Sequence, residues 1–243
     1  MTELSAVVTG ASRGFGREIA ATLVRAGATV VGVARDERRL AELHAELGDA
    51  FTPVVADAAD PVVAGALIDA HRPNLLVLNA GATPLTRPVH QHTWESFSRN
   101  WDVDVRQVFH WTREALLRPL AAGSTVIAFS SGAALRGSPL SGGYAGAKAT
   151  IRFIAAYAAE ESAKDSLGIR FVSVLPQLTP ATSVGAAGAA GYAARQGIGV
   201  DEFVRNLGPT LSPEQVGEAV LKLASSGEPG AYLLAAAGLK PLD

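Results

Sequence analysis

The 243-residue sequence has no cysteine. Disulfides, thiolate zinc sites, iron–sulfur clusters and a cysteine nucleophile are therefore excluded. It also lacks an excess of charge of either sign. Its 21 basic and 23 acidic residues leave a net charge of −2, which argues against a broad nucleic-acid surface. No apolar stretch reaches the ~18 residues a membrane helix needs. The opening MTELSAVVTG has no basic segment followed by an apolar core, so no secretory leader is expected and a cytoplasmic, membrane-free protein is. No Pro/Ser-rich linker or charge run divides the chain, so residues 1–243 are read as one domain. What is present is an ordinary hydrophobic fraction of 48%, enough for a packed core and against general disorder.

Short apolar runs alternate with helical patterns. The strand candidates are 4–9, 29–34, 52–56, 74–78, 125–129, 170–175 and 231–235. Most are apolar on successive residues rather than alternate ones, the pattern of strands buried on both faces of a parallel sheet. Helical stretches such as 17–26, 37–47, 61–70 and 214–224 lie between them, the last with Ser212 as N-cap and Pro213 at the first helical position. This alternation predicts a doubly wound α/β fold. Residues 177–210 carry no clear strand. Their run from Gly185 to Gly191 is built of glycine and alanine, and it is read as a weakly structured, mobile lid over a site.

The sharpest local motif is Thr9-Gly10-Ala11-Ser12-Arg13-Gly14-Phe15-Gly16, which follows an apolar strand and opens a helix. Glycines there turn the chain and bring backbone N–H groups to a ligand, and the helix N-terminus favours a pyrophosphate. No Gly-Lys-Ser/Thr follows, so it is not an NTPase phosphate loop. The second strand ends at Ala34, followed by Arg35. A carboxylate at that end would accept a ribose 2′-hydroxyl. Arg35, with Arg13 in the glycine turn, instead suits a 2′-phosphate, so NADP(H) is expected over NAD(H).

The fifth strand runs into Ser130 and Ser131. Tyr144 follows thirteen residues after Ser131, and Lys148 four further on. On a helix Tyr144 and Lys148 share one face. A lysine beside a phenol favours the phenolate, and such a tyrosine can pass a proton to or from a carbonyl or alcohol oxygen. Ser131 is placed to hold that oxygen. No Gly-x-Ser-x-Gly elbow is present, so Ser131 is not read as a hydrolase nucleophile.

On these residues the chain resembles a classical short-chain dehydrogenase/reductase over essentially its full length. Thr9 to Gly16 match the cofactor turn of that family. Leu78-Asn79-Ala80-Gly81 match its strand-4 signature, and Ser131, Tyr144 and Lys148 its catalytic serine, tyrosine and lysine. The resemblance implies a single-domain Rossmann-like fold with a seven-stranded parallel sheet. It implies an oxidoreductase interconverting a carbonyl and a secondary alcohol, with NADP(H) expected from the two arginines; the apolar character of residues 177–210 points to a small, uncharged substrate. It places Asp57 near the adenine, Tyr144 and Lys148 at the nicotinamide ribose, and Pro176 and Thr179 toward the nicotinamide, with Thr182 a weaker candidate. It also implies a homodimer or homotetramer, here through helices 93–117 and 144–163.

Two departures stand out. The family asparagine of the helix after strand 4, whose backbone carbonyl holds a water, aligns with Asp104. The Pro-Gly usual after strand 6 is Pro176-Gln177. A non-enzymatic nucleotide-binding redox sensor and a scaffold with a vestigial site are the competing readings. His90 and His92 are read as loop residues. Trp94, Phe97, Trp101 and Trp111 are read as core or subunit-interface residues.

Overall fold

The computed structural model of the chain describes residues 4–226 and 228–242. The order of elements is β1 (Ser5–Thr9), α1 (Gly14–Arg25), β2 (Thr29–Ala34), α2 (Glu37–Leu47), β3 (Phe51–Val55), α3 (Pro61–His71) and β4 (Leu75–Leu78). Next come α4 (Trp94–Asn100), a π-helical turn (Trp101–Val105), α5 (Arg106–Leu117), β5 (Thr125–Phe129), α6 (Ala133–Arg136), α7 (Tyr144–Lys164) and β6 (Arg170–Pro176). Last are α8 (Ser183–Gln196), α9 (Val200–Leu207), α10 (Pro213–Ser226), β7 (Gly230–Ala235) and β8 (Gly238–Leu242). All strands join one sheet in the order β3-β2-β1-β4-β5-β6-β7-β8. The first seven run parallel, as expected. An eighth, not anticipated, pairs antiparallel with β7.

Continuous apolar runs make the central strands. Every residue of β4 and β5 is buried, because helices cover both faces. On one face Ile19 and Leu23 of α1, Leu40 and Leu43 of α2, and Val216, Val220 and Leu223 of α10 close over the strands. On the other, Ile68 of α3, Val108 and Trp111 of α5, and Ile151 and Ala155 of α7 do the same. Trp111 is fully buried, and its indole N–H donates to the Ala58 carbonyl at 3.0 Å. Trp94 and Trp101 are exposed instead.

The sheet reverses its winding between β1 and β4. In open α/β sheets that switch point leaves a crevice beyond the strands' carboxyl ends. Thr9, the last residue of β1, ties the two ends together. Its hydroxyl accepts from the N–H groups of Asn79 (2.9 Å) and Ala80 (3.0 Å), and it lies 3.1 Å from Gln107 Oε1. The Gln107 amide in turn donates to the Ala80 carbonyl at 3.2 Å.

Two local expectations are corrected. The helix expected over 93–117 is interrupted by the π turn at 101–105. The run from Gly185 to Gly191, read as weakly structured, lies inside the helix α8, whose Thr182 side chain caps the Gly185 N–H at 3.1 Å. Ala189 and Ala193 of α8 pack on Phe203 of α9 in a small separate cluster. That tertiary burial outweighs the low helix propensity of the glycines. Ser212 caps α10 as expected: its hydroxyl accepts from the Gln215 N–H at 3.3 Å, and Gln215 Oε1 accepts from the Ser212 N–H at 2.9 Å.

Candidate active site

A cavity of ≈ 860 Å³ opens at the switch point. At one end lies the glycine turn. Gly10 sits at φ +71°, a conformation glycine adopts without strain, and Ser12, Arg13, Gly14 and Phe15 line the cavity beside it. The cap position of α1 is Arg13, which makes no side-chain cap, and the first turn carries no acidic residue. The free N–H groups and positive end of the helix dipole therefore face the cavity, an environment that fits a pyrophosphate. Gly16 is the one expected ligand residue that does not line it. A Cβ there would collide with the Gly10 carbonyl oxygen and the Asn79 amide. Its role is close packing of α1 onto the β1 and β4 ends.

At the end of β2, Arg35 is exposed and stands 3.9 Å from the Asp57 carboxylate. Asp57 also accepts the Ala59 N–H at 2.9 Å. Both line the cavity, as do Asn79, Ala80 and Gly81 at the end of β4. Asp36 does not. Its carboxylate caps α2, accepting the Arg39 N–H at 3.1 Å.

At the other end β5 delivers Ser131, and the N-terminal turn of α7 delivers Tyr144 and Lys148. Ser131 Oγ accepts the Ala133 N–H at 3.2 Å. Ser130 turns away and donates to the Lys148 carbonyl at 2.7 Å. Lys148 is 5% exposed. Its ammonium donates to the Phe129 carbonyl at 3.0 Å and lies 5.7 Å from the centre of the Tyr144 ring. It also lies 3.1 Å from Asp104 Oδ2, in the π turn. Burial alone pushes the Lys148 ammonium down. The Asp104 carboxylate and the Tyr144 phenol more than offset it, and the group sits above the ordinary lysine range.

Pro176 and Thr179 also border the cavity. The Thr179 hydroxyl is buried and donates to the Leu211 carbonyl at 2.6 Å. That bond holds the segment before α10 against the cavity wall. Sequence reasoning missed Asn100, Gln107 and Tyr192. Asn100 and Gln107 are amides whose value lies wholly in tertiary contacts. Tyr192 of α8 lines the cavity and pairs its hydroxyl with Ser138. Burial raises its pKa, and it lies close enough to Tyr144 for the two phenols to interact electrostatically.

A doubly wound sheet with a glycine turn at its switch point is the architecture of a dinucleotide-binding protein. The short chain dehydrogenase family profile matches residues 5–192, so the chain belongs to the short-chain dehydrogenase/reductase family. It is 34% identical over 118 residues to D-erythrulose reductase of Gallus gallus, covering 49% of this chain and 48% of that protein. It is 32% identical over 121 residues to a probable NADP-dependent dehydrogenase of Haemophilus influenzae, covering 48% of each. The chain thus spans about half the length of these curated relatives. Among solved structures it resembles the 3-ketoacyl-(acyl-carrier-protein) reductase of Brucella melitensis complexed with NADH. The TM-score is 0.77 at 25% identity, covering 95% of this chain and 96% of that one. Cofactor choice therefore differs among similar proteins.

Proposed function

We propose that the chain is an NADP(H)-dependent oxidoreductase that interconverts a carbonyl and a secondary alcohol on a small, uncharged organic substrate. The carrying observation is that Ser131, Tyr144 and Lys148 line the same cavity as the glycine turn. The cofactor, when bound, supplies or accepts a hydride equivalent. The chain's own residues do the rest. Tyr144 gives a proton to the substrate oxygen in reduction and takes one in oxidation. Ser131 orients that oxygen, and the buried Lys148 cation favours the phenolate. Leu135, Leu140, Leu178 and Phe203 line the cavity and support an uncharged substrate. Helices α8 and α9, within 177–210, serve as its lid. Mixing the protein with NADPH and a panel of ketones, followed at the nicotinamide absorbance, tests the reading. A thermal shift with cofactor but no oxidation of it by any ketone would favour the redox-sensor alternative.

NADP(H) is supported by Arg13 and Arg35 on the cavity wall and by the use of Asp36 as a helix cap. NADPH is expected to bind at least about tenfold more tightly than NADH, a difference of about 1.4 kcal/mol. Arg35→Asp should reverse or abolish the preference. Equal dissociation constants in the unmutated protein would sink the idea.

The chain is also proposed to act as a homodimer or homotetramer. Trp101, Phe109, Phe153 and Tyr157 are exposed on the π turn, α5 and α7. So large an apolar surface is costly to leave in water. Light scattering at the mass of one chain would contradict it.

A further inference from the structure

Family resemblance assigns position 104 a backbone role, yet its side chain is set for a different one. Asp104 is 1% exposed. Its Oδ1 is fixed by the Ala82 N–H at 2.8 Å and the Asn100 amide at 3.3 Å, and the same amide donates to the Ala82 carbonyl at 2.8 Å. Its Oδ2 makes no hydrogen bond among the described residues. It meets the Lys148 ammonium at 3.1 Å, an ion pair between two groups withdrawn from water. An asparagine could keep both contacts at Oδ1 but would bring no countercharge.

We propose that Asp104 is a positioning residue whose carboxylate is the counter-ion that holds Lys148 as a buried ammonium between the Phe129 carbonyl and the Tyr144 ring. The groups facing Lys148 bear this out in kind. The π turn presents Asp104, and its own helix presents Tyr144 one turn earlier. Strand β5 presents only the Phe129 carbonyl, and Tyr192 of α8 faces Tyr144. Among these, Asp104 supplies the one carboxylate. A buried ammonium without a counter-ion loses its proton readily, and lysines so placed titrate several pH units low. The proposal deepens the reading above and rests on it for turnover, since Lys148 matters there through Tyr144. The ion pair itself can be tested without turnover.

The test is an NMR titration of the unliganded protein labelled with ¹³C at lysine Cε. The four lysines are Lys148, Lys164, Lys222 and Lys240, and the Lys148 signal is assigned by its loss in Lys148→Arg. In the unmutated protein the Lys148 signal should hold its ammonium position through neutral pH. In Asp104→Asn its midpoint should fall by about two pH units or more, and Asp104→Glu should restore it. A fall of less than one unit overturns the proposal. A second measurement needs no variant at position 104. The Lys148 ammonium protons of the unmutated protein should exchange with water more slowly at neutral pH than those of exposed Lys164. Equal exchange would also overturn it. With a substrate in hand, Asp104→Asn should add a new alkaline limb to the pH profile of kcat. If the unmutated protein turns over nothing, the enzymatic reading fails while the titration still decides the ion pair.

Discussion

Tyr144→Phe should lower turnover by about 10²–10⁴-fold and leave cofactor affinity nearly unchanged. The substitution keeps the ring, and with it the packing beside Lys148, whose ammonium lies 5.7 Å from the ring centre. It also keeps the backbone N–H that donates to the Ser141 carbonyl at 3.0 Å at the start of α7. What it removes is the hydroxyl proton. No other group on the cavity wall combines a phenol, a neighbouring ammonium and a serine. Tyr192 is a second phenol, but its hydroxyl is engaged by Ser138, so it is not expected to substitute. Ser131→Ala should be milder, because a water can take over part of the orientation of the substrate oxygen. Steady-state kinetics with a fluorescence titration of NADPH separates the two effects. Full turnover by Tyr144→Phe on any accepted substrate would remove the mechanism.

The second large effect concerns stability. Lys148→Met should destabilise the fold by about 3–5 kcal/mol, because it leaves the Asp104 carboxylate buried without its cation. Lys148→Met combined with Asp104→Asn should recover most of that loss, since the amide oxygen keeps the Ala82 and Asn100 contacts and no buried charge is left unpaired. Urea unfolding of the two single variants, the double variant and the unmutated protein gives the coupling energy. Losses that simply add would show that the two side chains do not interact. The pH dependence follows from the raised pKa of Lys148. A lysine held above its unfolded value contributes fully below about pH 10.4 and loses that contribution as pH rises through the folded value. The lysine's share of the coupling should therefore be flat across neutral pH and fade only in strong alkali.

The central parallel strands were legible because burial on both faces, complete in β4 and β5, writes continuous apolar runs. The cap of α10 was legible because Ser212 and Pro213 are local signals. Strand β8 was not. Its Lys240 and Pro241 suit an exposed edge strand rather than a core one. Helix α8 hid behind Gly185, Gly188 and Gly191, since its stability comes from the packing of Ala189 and Ala193 on Phe203. The π turn leaves no mark in residue type, because it is a slip in hydrogen-bond register. The catalytic candidates were readable from spacing, as Tyr144 and Lys148 lie one helical turn apart. The Asp104–Lys148 contact was not, because it joins side chains from two different helical segments. For the same reason the commitment of Thr179 to the Leu211 carbonyl, and the Thr9–Gln107 tie behind the cavity, emerged only from the fold.

We propose that this cavity carries out hydride exchange with a carbonyl substrate. The most direct test uses NADPH deuterated at the transferable C4 position, with small ketones and aldehydes offered as substrates and their alcohols analysed by mass spectrometry. One deuterium is expected on the former carbonyl carbon of at least one product, with its near-complete loss in Tyr144→Phe. Cofactor that binds, as judged by thermal shift, yet leaves no deuterium in any alcohol of the panel would contradict it.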